Sequence, residues 1–292
     1  MNQASTLKKI MSQKNSATPP SSKQARVICI TSGKGGVGKT NITANLAYSM
    51  TTAGLRVLVL DADLNLANID VLLGMTPKYN LQHVFSGEKS LSEVMIQGPG
   101  GMNILPGASG IMELANLDEE QRLYFLSEMA ALDDTIDALL IDTGAGINEN
   151  VIYFNLAAQE RIVLLTPEPT SLTDAYAMIK VLSTRHDVKK FKILVNMALS
   201  AQEAINVFKQ LSKVCDQFLE TLSLDFIGYI PYDKKLVAAV RSQRLVTEKF
   251  PDCQASKMLQ KISHDLIRAV PESGSDGNIK FLWSGITQGL AG

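Results

Sequence analysis

Gly33-Lys34-Gly35-Gly36-Val37-Gly38-Lys39-Thr40 is the stretch from which the rest of the chain is read. It follows the apolar run Val27–Ile30 and opens onto residues of helical periodicity. Gly33 and Gly38-Lys39-Thr40 therefore meet the GxxxxGK[ST] spacing in the strand, loop and helix setting that a phosphate-binding loop needs. Glycines at 33, 35, 36 and 38 let the backbone take turns barred to other residues, so that successive N–H groups point into one anion-binding concavity at a helix N-terminus. A triphosphate fits there. Lys39 would set its ammonium against the β and γ phosphates, and Thr40 would give its hydroxyl to a magnesium ion bridging them. The whole stretch Gly33 to Thr40, Val37 included, is the expected nucleotide contact.

Outward from the loop, apolar runs alternate with amphipathic stretches, the pattern of an α/β fold with a mostly parallel, doubly wound sheet covered by helices on both faces. The spacing predicts strands over 26–31, 56–60, 102–105, 138–141, 162–165, 191–195 and 226–230. It predicts helices over 39–53, ended by Gly54, and near 120–131, 171–183, 202–219 and 255–269. Residues 74–101 are irregular, with short helical candidates at 81–85 and 91–95.

Ligands of such sheets bind outside the carboxyl ends of the strands, so polar residues there are the candidates. Asp142 ends the run Ala138–Ile141 and is placed to hold magnesium, with Gly144 and Gly146 behind it as a mobile second switch. Asp61 and Asp63 end the second strand, Asp61 as support for the metal or for the loop, or either aspartate as the cap of a helix beginning near Asn65. Asn196 closes the strand 191–195, and its amide donates and accepts together, matching the adenine edge.

At 292 residues, with 46% hydrophobic and 20% charged content, the chain can bury one substantial core, which implies one globular domain with tails. Its 28 basic and 29 acidic residues leave a formal net charge of -1, so no global basic field is available to hold nucleic acid. A local patch from Lys189, Lys190, Arg241 and Arg244 is the remaining route. Cys29, Cys215 and Cys253 are far apart and in no metal-ligand spacing, which reads as reduced, buried thiols of a cytoplasmic protein and excludes a cluster scaffold. No leader-like apolar stretch opens the chain, and no run approaches the roughly 18 apolar residues of a membrane span.

Lys34 stands directly after the first glycine, where an ordinary phosphate loop has no need of charge, and KGGVGKT at 34–40 resembles the deviant loop of the MinD/ParA family. The resemblance implies an ATP-dependent homodimer in which Lys34 reaches across to the partner's phosphates. DADLNLANID at 61–70 resembles the first switch of the MinD branch, which implies that Asp63 orients and activates the attacking water. Lys34, Lys39 and Asp63 are then the catalytic set, since phosphoanhydride hydrolysis asks for positioning and charge more than for covalent chemistry. The family places an asparagine at the position of Asn196 to read adenine. The stretch Ile230-Pro231-Tyr232-Asp233 resembles the family's loop beside the base, which implies backbone contacts from Pro231 and Tyr232.

IDTGAG at 141–146, TPEPTSLTDAY at 166–176 and NQASTLKK at 2–9 together resemble the FlhG/FleN branch, the flagellar number regulators. That implies a slow ATPase acting as a dimerisation switch with ATP, ADP and Mg2+. A ParA-type DNA-partitioning ATPase or a MinD-type cell-division-site ATPase, with the same core, is the alternative. Residues 1–11 would engage a FlhF-type signal-recognition GTPase, with Gln3, Ala4 and Leu7 matching the branch. Asn2 and Lys8 stand where the branch has an acidic residue and an arginine, and lysine cannot make arginine's planar bidentate contact. A flagellar switch-complex protein and a flagellar transcriptional activator are further candidate partners. Residues 12–25 read as a disordered linker, 26–270 as the ATPase domain and 271–292 as a flexible tail. In that tail Ile279, Leu282, Trp283, Ile286 and Leu290 share one helical face, suited to the inner surface of the membrane or to the protein's own surface.

Overall fold

Strand formation follows the longest uninterrupted β-branched and aliphatic runs, and these strands bring the carboxyl ends that matter into one place. The computed structural model describes residues 25–63, 68–106, 124, 127–128, 131–132, 135–219 and 222–269. The N-terminal segment, nearly all of the linker, the tail and most of the helix expected at 120–131 lie outside the described residues. Eight strands are seen among those described: β1 (Arg26–Ser32), β2 (Val57–Ala62), β3 (Ile96–Gln97), β4 (Asn103–Leu105), β5 (Ala138–Ala145), β6 (Glu160–Leu165), β7 (Lys190–Ala198) and β8 (Ser223–Pro231). They form one sheet in the order β3-β4-β2-β5-β1-β6-β7-β8. Every neighbouring pair is parallel except β3 with β4.

Because side chains alternate across a strand, each central strand feeds two apolar layers. Ile28 and Ile30 of β1 join Val59 of β2 and Leu140 of β5 on one face. There they meet Ile42, Leu46 and Met50 of α1 (Lys39–Thr52). Val27 and Cys29, Leu58 and Leu60, and Leu139 and Ile141 point the other way, toward Phe154 of α5 (Glu149–Ala157) and the short helices α3 (Leu81–Phe85) and α4 (Leu91–Val94). Val163, Leu165, Ile193 and Val195 extend that second face under α6 (Pro169–His186) and α7 (Ala201–Phe218). Removing any one of these fully buried Leu or Ile side chains is worth about 2–5 kcal/mol of stability.

Helix ends follow local chemistry. Gly54 ends α1 at φ 97, as expected, while Asn80 and Ser90 open α3 and α4 with capping boxes. Three helices were not legible in the periodicity: α5, α8 (Lys234–Arg241) and α9 (Val246–Lys249). In α5 the apolar residues go all round, with Ile152 and Leu156 packing against one layer while Phe154 fills another, so no stripe marks it. α8 carries the apolar pair Leu236 and Val240 at helical spacing but runs only 8 residues, and α9 only 4. The remaining helices are α2 (Ile69–Leu73) and α10 (Gln254–Arg268). At the amino-terminal end of the sheet, buried Glu160 pairs with Arg26 and Lys192, and Arg26 also donates to the Leu266 carbonyl, which ties β1, β6, β7 and α10 together.

Candidate nucleotide-binding site

β1 ends at Ser32, and the chain turns through residues 33–38 into α1. The glycines of this turn act in different ways. Gly38, the N-cap of α1, sits at φ 94, and a Cβ there would lie 2.6 Å from the Asn196 Nδ2. Gly33 has ordinary backbone angles, but α6 passes so close that a Cβ would lie 2.2 Å from the Asp174 carbonyl oxygen. Gly35 has neither constraint, its nearest neighbour being Ala145 at 3.9 Å, so backbone freedom does not account for all four positions.

Lys39 is buried, and its ammonium donates to the Ser32 Oγ at 2.9 Å, while Ser32 donates to the Lys34 carbonyl at 2.7 Å. Burial lowers the Lys39 pKa, opposed by the negative charge of Asp142 and Asp63.

Asp142 lies on β5 in register with Ile30 of β1 and Asp61 of β2. It is fully buried, with one oxygen accepting from the Thr43 hydroxyl at 3.3 Å and the Thr40 hydroxyl close by. The Oδ2 is buried with no hydrogen-bond partner. Burial pushes this carboxyl up to about 7; the nearby Thr40 hydroxyl opposes the shift, the charge of Asp61 adds to it, and Lys39 and Thr43 oppose it further. A buried carboxylate oxygen left unpaired beside a lysine and two hydroxyls fits a cation with its water, which would satisfy the lone pairs and hold the group ionised. Among the described residues no group of three or more His, Cys, Asp or Glu is placed to hold a metal. Magnesium characteristically enters with phosphates and only one or two carboxylates.

Asp61 is also buried, and its carboxylate accepts from the N–H groups of Asn68 at 2.9 Å, Ile69 at 3.1 Å and Asp63 at 3.3 Å. Burial raises its pKa, and those three backbone donors oppose the rise. Its contacts are therefore with the start of α2 and the switch loop. Asp63 accepts from the Asn68 side chain at 3.4 Å and faces Gly144, where a Cβ would lie 3.6 Å from its Oδ1, so the two segments expected to be switches meet at this point. Lys34 turns outward from the loop to an ion pair with Glu168 and a 3.0 Å hydrogen bond to the Thr170 hydroxyl at the start of α6.

A cavity of about 600 Å³ opens over the loop, within the range of small-molecule sites. Gly35, Gly36, Gly38, Lys39 and Thr40 form its polar floor and Asp63 one side. Asn196 stands beside it, its Nδ2 donating to the Val37 carbonyl at 2.8 Å and its Oδ1 accepting from the Met197 N–H at 2.9 Å. One N–H and one lone pair of that amide are left for a ligand. Pro231 and Tyr232 do not line the cavity: the Tyr232 N–H continues the β7–β8 ladder by donating to the Ala198 carbonyl at 2.9 Å. The wall at that end is instead Met197 with Leu236 and Val240 of α8, facing Val71 and Leu72 of α2, and Gln243 beyond. The four-residue spacing of Leu236 and Val240, just after Ile230-Pro231-Tyr232-Asp233, was the available signal for that wall. The cysteines are all buried and unpaired, and burial pushes the Cys29 thiol up strongly and that of Cys215 to about 11.

A family profile described as the CobQ/CobB/MinD/ParA nucleotide binding domain matches residues 28–246. Antiactivator FleN of Pseudomonas aeruginosa is 43% identical over 263 residues, covering 90% of this chain and 94% of that protein. The flagellum site-determining protein YlxH of Helicobacter pylori is 35% identical over 268 residues, covering 91% and 90%. Among solved structures, the MinD cell division protein of Aquifex aeolicus matches with a TM-score of 0.64 at 26% identity, over 85% of this chain and 100% of that one.

Proposed function

The chain belongs to the CobQ/CobB/MinD/ParA nucleotide-binding family, and on that premise we propose that it is an ATPase switch, dimeric with ATP, that regulates the number and placement of flagella. The observation that carries the ATPase reading is the cavity floored by the phosphate loop, with the unpartnered Asp142 oxygen buried behind Lys39 and Thr40 of that floor. Gly33 to Thr40 bind the phosphates, with Lys39 as their buried cation. The Thr40 hydroxyl and Asp142 are the residues that would hold magnesium, which when bound neutralises phosphate charge. Asp61 supports the switch loop through its three backbone contacts. Asp63 orients the water, Lys34 brings positive charge to the partner's phosphates, and Asn196 reads the adenine edge with its remaining donor and acceptor.

The flagellar part rests on the likeness to FleN and YlxH, one named an antiactivator and the other flagellum site-determining. A flagellar transcriptional activator and a switch-complex protein are the partners this reading favours. A FlhF-type GTPase would be engaged through residues 1–11. The protein would work in the cytoplasm and touch the inner face of the membrane reversibly through residues 271–292. The contact proposed is a peripheral one; no helix among the described residues is long and apolar enough to cross a membrane.

The DNA-partitioning alternative needs one basic surface. Lys189 and Lys190 lie at the start of β7, whereas Arg241 ends α8 and Arg244 follows it, beyond the carboxyl end of β8 and so at the other end of the parallel sheet. Lys189 is paired with Asp187, and Arg244 with Glu248. These cations form no common patch, and nucleic acid is not proposed as a partner.

The test is the solution mass with ATP against ADP, together with the ATPase rate with and without anionic vesicles or a FlhF-type GTPase. A dimer with ATP only, and a rate raised by the GTPase and lost on deleting residues 1–11, is the expected result. A mass unchanged by ATP sinks the switch reading. Stimulation by a cell-division partner in place of the GTPase favours the MinD-type alternative.

A further inference from the structure

Gln243 occupies a backbone position where glycine is the ordinary residue. It follows α8 at φ 53, and the turn is closed by the Gln243 N–H on the Val240 carbonyl at 2.9 Å and the Arg244 N–H on the Ala239 carbonyl at 3.1 Å. That is a Schellman end with its left-handed residue, which glycine adopts without strain and a side chain does not. A costly residue kept at such a place points to a use for its side chain.

That side chain crosses to the other wall of the nucleotide cavity. Its Nε2 donates to the Val71 carbonyl at 2.9 Å, a bond between residues 172 apart in sequence. That carbonyl also accepts a long bond, 3.3 Å, from the Gly74 N–H at the α2 terminus. The amide also lies over Gly74, where a Cβ would sit 3.0 Å from the Gln243 Oε1. So α2 is held at both ends, by Asp61 at its start and by Gln243 at its finish. The segment leading into α2 carries Asp63, and Asp61 shares its register position with Asp142.

We propose that Gln243 is a positioning residue for hydrolysis: it ties the base-side wall of the cavity, built on α8, to the α2 end of the first switch, and so sets Asp63 against the nucleotide. The proposal rests on the reading of Asp63 as the residue that orients the water. Gln243 itself lies at the rim of the cavity and forms no part of the phosphate floor. Its loss should therefore appear in turnover and not in affinity.

The experiment compares Gln243→Gly and Gln243→Glu with the full-length protein, measuring kcat, KM for ATP, nucleotide affinity and Tm. In Gln243→Gly the left-handed strain goes with the side chain, so Tm should stay level or rise, while kcat falls about threefold to tenfold and KM and affinity hold within about twofold. Gln243→Glu keeps the shape but turns an acceptor toward the Val71 carbonyl, and it should show the same fall in kcat. Wild-type kcat in either variant, or a Tm that drops in step with the activity, overturns the proposal. Asp63→Ala is measured beside them. If it turns over ATP at the wild-type rate, the Asp63 reading has failed and this inference with it. If Asp63→Ala is slow and the Gln243 variants are not, the tie alone is refuted.

Discussion

Lys34 is held by Glu168 of its own subunit, in an ion pair at the start of α6 that the Thr170 hydroxyl completes. The lysine proposed for the partner's phosphates thus has a resting place at home, from which the proposed dimerisation would have to take it. The pair is well exposed, with Glu168 at 60%, so its hold is of the weak, salt-sensitive kind, worth about 0–1 kcal/mol. Lys34→Ala should leave nucleotide binding by the monomer near wild type and abolish the ATP-dependent dimer. Glu168→Gln should lower the protein concentration needed for that dimer by about twofold to fivefold at low salt. Sedimentation with ATP checks both, and a normal ATP dimer of Lys34→Ala would remove the lysine from the mechanism.

Lys39→Ala removes a charge-assisted donor from a buried place, where such a bond is worth most. ATP affinity should fall by about 100-fold or more, as measured by titration of a fluorescent nucleotide. Unchanged affinity would contradict the phosphate-loop reading.

The Asp142 carboxyl, pushed up to about 7, makes the nucleotide-free protein sensitive to pH. Its folded pKa lies above the unfolded value, so the folded state holds the extra proton. The stability this group contributes is full in acid and declines as pH rises from about 4 through about 7, then stays level. Asp142→Asn should flatten that part of the Tm profile and raise Tm at about pH 8, while losing magnesium-dependent ATPase. In the wild type, magnesium nucleotide should release protons on binding at about pH 6 and fewer at about pH 8, which calorimetry in buffers of different ionisation heat detects. Equal proton release at both would show that Asp142 is ionised throughout.

Asp63→Ala should keep nucleotide binding and the ATP dimer while hydrolysis falls, by about 100-fold for a positioned water lost. Single-turnover measurement on the preformed dimer separates the step from assembly. A dimer that still hydrolyses ATP normally would remove Asp63 from the mechanism.

The sheet and the phosphate loop were legible because their information is local. GxxxxGK[ST], the unbroken apolar runs of β1, β2 and β5, and the aspartates that end them depend on neighbours within a few residues. Lys34, Asn196 and the family followed from the same short strings. What needed the folded chain was contact between residues far apart. That Gly33 makes room for Asp174 and that Asn196 grips the Val37 carbonyl are facts of strand order, which sets β6 beside β1 and β7 beside β6. The apolar wall of the cavity could not be read from Pro231 and Tyr232, since only the β7–β8 register puts the Tyr232 N–H on the Ala198 carbonyl and brings Leu236 and Val240 of α8 to the cavity. The sequence by itself determined which chemical groups the site has. Tertiary structure decided their state: the same aspartate is an exposed acid on an open chain and, under α1 with one oxygen unpaired, a carboxyl near neutrality, because burial withdraws the water that would have stabilised its charge.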